Sequence, residues 1–423
     1  MIQSITSWKV IEQLIDRRHA IILLVQQKKQ TRNRMQSTRH TFLDFASTTP
    51  VDPRVIDEME PYFNQMYGNP SSIHRFGQQA ESAIEHSRMR VAKILGSKPE
   101  EIIFTSCGSE SDNLALRGVA FTERNSRNAT HILISPVEHP AVTITAHQLR
   151  DLHGFEIEVL PVDQFGMVNP EDVAASIRSN TAIVSVIYGN NEIGTINPIA
   201  EIGKICQERE VRFHTDAVQA AAHLNVEVDA LNVDLMSIGA HKFYGPKGVG
   251  ALYVREGTEI LPTLTGGGQE RSLRAGTHNT PYIVGLAKAF ELAQDGRDER
   301  VKFNCSMRDH IIEEITTTIP STKLTGHPVH RLPNHASFVF KDIDGNSLLM
   351  MLDVKGFACS SGSACKTGDP EPSDILLALG LPREWALGSL RVTLGKSTQS
   401  HEIELFLDTL EKTVHQARKL IPA

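Results

Sequence analysis

Cysteine is scarce in this 423-residue chain: five residues, Cys107, Cys206, Cys305, Cys359 and Cys365, form an odd and scattered set. Such usage argues against a disulfide scaffold and fits reduced intracellular thiols, so the cytoplasm is the expected compartment. No standard zinc-ligand spacing joins Cys359 and Cys365 to nearby histidines, and no metal is expected. Long apolar runs are also missing. The longest early one, Ala20-Ile21-Ile22-Leu23-Leu24-Val25, falls far short of the roughly 20 residues that span a bilayer. It lacks a convincing small-residue cleavage site, so neither a membrane span nor a secretory signal is expected. Positive charge is thin outside the N-terminus. Net charge is −7, yet residues 1–40 hold eight Lys/Arg against two acids, which leaves the body more acidic than the total. That balance argues against direct nucleic-acid binding. Residues 1–40 read as a basic extension or as sequence read in upstream of a start near Met35. An organelle-targeting presequence is the less favoured alternative.

What remains is a chain with 40% hydrophobic residues, long enough for a large core and two domains. No internal repeat or low-complexity linker interrupts it. From about residue 101, short apolar runs alternate with helical patterns, the signature of βαβ units and a mainly parallel sheet. Candidate strands are Glu101–Ser106, His131–Ser135, Ala182–Tyr188, Val211–Thr215, Asp234–Ile238 and Gly250–Val254. Candidate helices lie near Ser109–Ala120, Ala141–His153, Glu171–Ser179 and Ile199–Arg209. The charged stretch Gln294–Arg300 marks a change of domain, followed by a helix, a few strands and a closing helix near His401–Leu420. The expected division is a large domain over 55–293 and a smaller α/β domain from 41–54 and 294–423.

Polar motifs fall at the carboxyl ends of these strands, where open α/β sheets bind ligands. In Ser237-Ile238-Gly239-Ala240-His241-Lys242, a lysine follows a short apolar strand with histidine and small residues beside it. That setting presents an amine to an aldehyde cofactor. With Asp216 upstream as an acidic partner for a ring nitrogen, Lys242 is the candidate Schiff-base lysine of pyridoxal 5'-phosphate. Thr105-Ser106-Cys107-Gly108-Ser109 joins a strand to a helix whose first amides could hold a phosphate; taken alone, an ordinary cap by Ser109 is the plainer reading. Cys365 sits in a Gly/Ser-rich stretch without apolar periodicity, read as a flexible loop, and Lys366 beside it would favour a thiolate. Cys359 is the rival, read as a small buried residue at a strand end.

Lys242 and Cys365 together make the chain resemble the cysteine desulfurases of the class V aminotransferase group, from about Phe42 to near residue 415. Ser360-Ser361-Gly362-Ser363-Ala364-Cys365 followed by Glu371-Pro372-Ser373 is similar to the branch with a long cysteine loop. The resemblance implies a homodimer of fold-type I pyridoxal-phosphate subunits that converts L-cysteine to L-alanine and leaves sulfur as a persulfide on Cys365 for an acceptor protein. It implies that His139 stacks on the ring and assists proton transfer, that Asp216 pairs with the ring nitrogen, and that Gln219 bonds the ring hydroxyl. It places Asn191 near the ring and the substrate carboxylate, and Arg391 on that carboxylate. Gly108, Ser109 and His241 would bind the phosphate, with Thr277 reaching over from a second subunit. Gly239 departs from the pattern, since many relatives carry a hydroxyl residue there. Selenocysteine lyase, or another class V aminotransferase or lyase, is the alternative activity. The acceptor stays open among an iron–sulfur scaffold, a tRNA-thiolation relay and a DNA-sulfuration system; the end at Leu420-Ile421-Pro422-Ala423, without a longer tail, puts the housekeeping scaffold in question.

Overall fold

The computed structural model describes residues 40–361 and 371–419. Its main feature is a seven-stranded sheet. From edge to edge the strands are Ile102–Thr105, Gly250–Val254, Leu235–Gly239, Arg212–Asp216, Thr181–Ser185, His131–Ile134 and Glu156–Val159. Gly250–Val254 runs antiparallel to both neighbours, and the other pairings are parallel. The expected α/β class with a mainly parallel mixed sheet is therefore observed. Inner strands such as Leu235–Gly239 and Gly250–Val254 are buried along their whole length, as a sheet covered on both faces requires. One face packs on the helices Gly108–Arg127 and Pro140–His153 through residues such as Leu116, Val119, Ile132 and Leu149. The other carries a larger core that includes Phe104, Phe213, Phe243 and Phe290.

The edge strand Glu156–Val159 is absent from the sequence reading. It alternates charged and apolar residues and is largely exposed, so it offers no apolar run, and charge on an edge strand blunts pairing with other chains. The long helix Arg75–Leu95 also lies outside that reading. Its buried stripe mixes the apolar Ile84, Val91 and Leu95 with small and polar residues such as Gly77, Ala80, Ala83, Ser87 and Arg88, which weakens the helical period.

A second core forms around a three-stranded antiparallel sheet of Ser389–Thr393, His335–Phe340 and Thr322–Leu324. Phe338, Phe340, Leu390, Val392 and Phe406 fill it, under the helices Arg297–Thr318, Gly345–Val354 and Ser400–Arg418. The N-terminal strand Thr41–Phe42 pairs in parallel with Phe357–Ala358 on this side. The chain then crosses to the large sheet through residues 43–52, and Asp52 caps the helix Pro53–Met59. This crossing brings a segment of backbone between the two sheets, where the candidate residues converge.

Candidate active site

Asp216 closes its strand, and its carbonyl accepts the Tyr188 N–H at 3.0 Å. Its Oδ1 accepts the Val218 N–H at 2.8 Å. Burial raises its pKa, against the pull of His139, that amide and Lys242. A buried carboxylate with these neighbours is suited to a protonated ring nitrogen. His139 caps the helix Pro140–His153, and its Nδ1 accepts the Ala141 N–H at 3.1 Å. The neutral ring therefore carries its proton on Nε2. Burial pushes the His139 pKa down; nearby Asp216 opposes this and Lys242 adds to it.

Lys242 lies in the tight turn after Leu235–Gly239. Its Nζ donates to Ala46 O at 2.7 Å and Ser47 O at 2.8 Å. Burial first, and Arg391 second, bring its pKa down to about 8, while Asp216 and Asp44 act to raise it. Gln219 Nε2 donates to the same Ala46 carbonyl at 2.7 Å. Thr49 holds the lysine turn at two points: its hydroxyl donates to His241 O at 2.9 Å and accepts the Tyr244 N–H at 2.7 Å. His241 Nδ1 lies 3.2 Å from Thr48 Oγ1. Burial, with Lys242 and Lys247 nearby, pushes the His241 pKa down to about 4.

The helix Gly108–Arg127 begins at Gly108 after Cys107, which makes no side-chain cap bond. Ser109 thus sits in the first turn, and the plain reading of it as the cap is corrected. Amides of a first turn have no partner within their helix, and here they face the strand end at Gly239. A Cβ on Gly239 would stand 3.5 Å from Gly108 N, an ordinary contact, so a hydroxyl residue would fit where this chain has glycine. Thr277 is exposed and, among the described residues, makes no hydrogen bond to another candidate. Its loop contains the consecutive left-handed residues Glu270, Arg271 and Ser272 (φ 45°, 55° and 65°). That loop is anchored by the buried pair Arg88–Glu270 at 2.8 Å and by His278 on Glu270 at 2.7 Å.

On the opposite side, Arg391 comes from the small sheet. Its Nη1 donates to Asn191 O at 2.8 Å and its Nη2 to Asp44 Oδ1 at 2.7 Å. Among the described residues Arg391 Nε and Asn191 Oδ1 are buried without a partner, a pair of orphans that a bound polar ligand would satisfy. Cys365 and Lys366 lie outside the described residues, but both flanks of their segment are fixed at the site. Ser360 exchanges backbone hydrogen bonds with Arg391 at 2.7 and 3.3 Å. Ser373 Oγ donates to Glu192 Oε2 at 2.5 Å, and burial raises Glu192 to about 7. Cys359 is packed against the second core, and burial pushes its thiol far up.

These residues fit pyridoxal phosphate: open first-turn amides for an anion, a buried carboxylate for a ring nitrogen, and one amine of lowered pKa between them. Sequence reasoning did not assign roles to Asp44, to the carbonyls of Ala46 and Ser47, or to Glu192. Only the run Asp44-Phe45-Ala46-Ser47-Thr48-Thr49-Pro50, small and hydroxyl-rich before a proline, hints at a close backbone approach. The buried polar chain behind Asp216 was missed as well. There His214 stands 2.9 Å from Ser185 Oγ and 3.0 Å from Ser237 Oγ, and burial pushes its pKa down to about 3.

Comparison with known proteins agrees with this geometry. The family described as aminotransferase class-V matches residues 41–406. The chain belongs to that family, whose members use pyridoxal phosphate on the type I fold. Within it the relatives are specific. A protein named cysteine desulfurase IscS from Dictyoglomus turgidum is 47% identical over 384 residues, covering 91% of this chain and 97% of that one. Its namesake from Clostridium botulinum is 44% identical over 386 residues, covering 91% and 96%. A solved structure described as a NifS-like protein superposes with a TM-score of 0.83 at 36% identity, covering 89% of this chain and all of that one. The chain is thus placed among the cysteine desulfurases, as its motifs imply.

Proposed function

We propose the following division of labour for the cysteine desulfurase activity of this chain. Lys242, whose amine burial brings to about 8 in the cofactor-free chain, would hold the cofactor and, as a free amine beside bound L-cysteine, would move the substrate α-proton. Bound pyridoxal phosphate supplies the electron sink that weakens the bonds at the substrate carbons. Asp216 keeps the ring nitrogen protonated, and Gln219 reaches the ring hydroxyl. His139 covers the ring and offers its Nε2–H. Gly108, Ser109 and His241 hold the phosphate. Arg391 and Asn191 hold the substrate carboxylate, for which a planar guanidinium with a free Nε is suited.

Cys365 then attacks the substrate sulfur as a thiolate. The S–S bond forms as the Cβ–S bond breaks, the electron pair of that bond stays with the substrate β-carbon, that carbon takes up a proton, L-alanine leaves, and an acceptor protein takes the outer sulfur from Cys365. The observation that carries this reading is the anchoring of both flanks of the Cys365 segment on the carboxylate side of the site: Ser360 on Arg391, and Ser373 on Glu192.

The assembly is a homodimer, with Thr277 completing the partner's phosphate site. Exposed apolar side chains at Phe63, Tyr67, Ile73 and Phe76 support it, because a cluster of that kind marks an interaction surface. Residues 55–293 act as the cofactor-binding body, and 41–54 with 294–423 as the smaller body that carries the Cys365 loop. Free Cys107, Cys206, Cys305 and Cys359 support a reducing, cytoplasmic setting. Cys365→Ser tests the assignment: the expected variant keeps the colour of bound cofactor and loses sulfur transfer to an acceptor thiol. Retained transfer would overturn it.

A further inference from the structure

The crossing segment Asp44–Thr49 meets Lys242, Gln219, His241 and Arg391. Ala46 O accepts from both Lys242 and Gln219. Ser47 O accepts from Lys242, and Thr48 and Thr49 hold His241. Ala46 N donates to Thr393 Oγ1 at 2.9 Å, on the strand that carries Arg391. Only one side chain in this segment is charged, and it is aimed at the arginine. Asp44 Oδ1 lies 2.7 Å from Arg391 Nη2, and the two side chains are 16% and 7% exposed.

We infer that Asp44 is a specificity-determining residue of the site: a resident carboxylate that shares Arg391 with the substrate carboxylate and balances charge beside Lys242. The inference rests on the reading of Arg391 and Lys242 given above. Arg391 and Lys242 both meet this segment, Arg391 through the Asp44 carboxylate and Lys242 through the Ala46 and Ser47 carbonyls, and after burial it is Arg391 that lowers the lysine's pKa, against Asp216 and Asp44. His139 and His241 are titratable neighbours on the lysine side, both pushed by burial toward their neutral forms, and Glu192 and the buried His335, whose Nε2 lies 3.1 Å from the Asn191 carbonyl that Arg391 also meets, stand on the arginine side. Without Asp44, Arg391 would present a full unbalanced charge to any carboxylate, and release of L-alanine would slow. With Asp44 in place, the clamp still has a free Nε, but its pull is moderated.

Asp44→Asn separates charge from geometry, because the amide oxygen can still accept from Nη2 while the charge is gone. Two readouts are taken on the holoenzyme: the pH titration of the cofactor's visible absorption band, and the dissociation constant of L-alanine from its spectral change. The expected result is a fall in the band's pKa, since loss of an anion disfavours protonation beside Lys242. Binding of L-alanine is expected to tighten about tenfold, while Asp44→Glu restores the wild-type band pKa. An unchanged value for either readout in Asp44→Asn overturns the inference. Should Asp44→Asn fail to bind cofactor, Asp44→Glu decides: a band pKa moved away from wild type overturns it, and a retained one supports it. Arg391→Ala is the separate control. If it leaves L-alanine binding unchanged, the reading of Arg391 as the clamp fails, whatever Asp44 does.

Discussion

The two sides of the site are built by different means. Asp216, Lys242 and the start of the Gly108–Arg127 helix stand at element ends around a sheet whose inner strands are buried but for Arg212, so their positions follow from the packing of the main core. Arg391, Asn191 and Asp44 come from three separate parts of the chain and meet through single hydrogen bonds at 2.7–2.8 Å. The cofactor side is set by a fold; the substrate side is set by contacts across a junction. Ligand sites at strand ends are the rule for open α/β sheets. A junction held by individual polar contacts is where affinity can be tuned without loss of the scaffold.

That contrast orders the expected effects of mutation. Lys242→Ala should remove the cofactor's visible band and all detectable alanine formation, because no other amine occupies the turn; absorbance and an alanine assay check it. Arg391→Ala should leave the band and raise KM for L-cysteine about 10–100-fold, the loss of a charged hydrogen bond of about 1.5–3 kcal/mol. Steady-state kinetics with a cofactor titration would separate the two sides, and an equal loss of cofactor from Arg391→Ala would break the contrast.

The pH dependence sharpens it further. A lysine amine reacts when neutral, and burial brings Lys242 to about 8, below the usual value of about 10.4. Rebinding of pyridoxal phosphate to the cofactor-free chain should accelerate as pH rises through about 8 and level off above it. A rate that keeps climbing toward pH 10 would mean the amine is solvated. The smallest effect is expected at Gly239→Ser. Its added Cβ would make ordinary contacts of 3.5 Å with Gly108 N and the Val218 side chain, and one added phosphate hydrogen bond is worth about 0.5–1.5 kcal/mol. Cofactor affinity should rise several-fold, measured by fluorescence titration, with KM for L-cysteine unchanged.

The same contrast explains how much could be read from the sequence. The inner strands, Lys242 and Asp216 were legible because buried parallel strands leave continuous apolar runs and their ends carry the polar motifs. Glu156–Val159 was not, since an exposed edge strand needs no apolar run. Ser109 was open to reading as a cap because serine at a strand-to-helix turn is usually one, and only the backbone shows the helix starting a residue earlier. Asp44 was invisible for a different reason. It meets Arg391 across nearly the whole chain, and the Ala46 and Ser47 groups that meet Lys242 are backbone carbonyls, which carry no sequence signal.

The central claim is that one amine releases the sulfur that one thiol collects. The direct measurement is mass spectrometry of the protein after incubation with L-cysteine, comparing the native chain with Lys242→Ala. A single additional sulfur on Cys365 is expected in the native chain and none in the variant. Extra sulfur on Cys359 or Cys107 in place of Cys365, or its persistence on Cys365 without Lys242, would contradict the account.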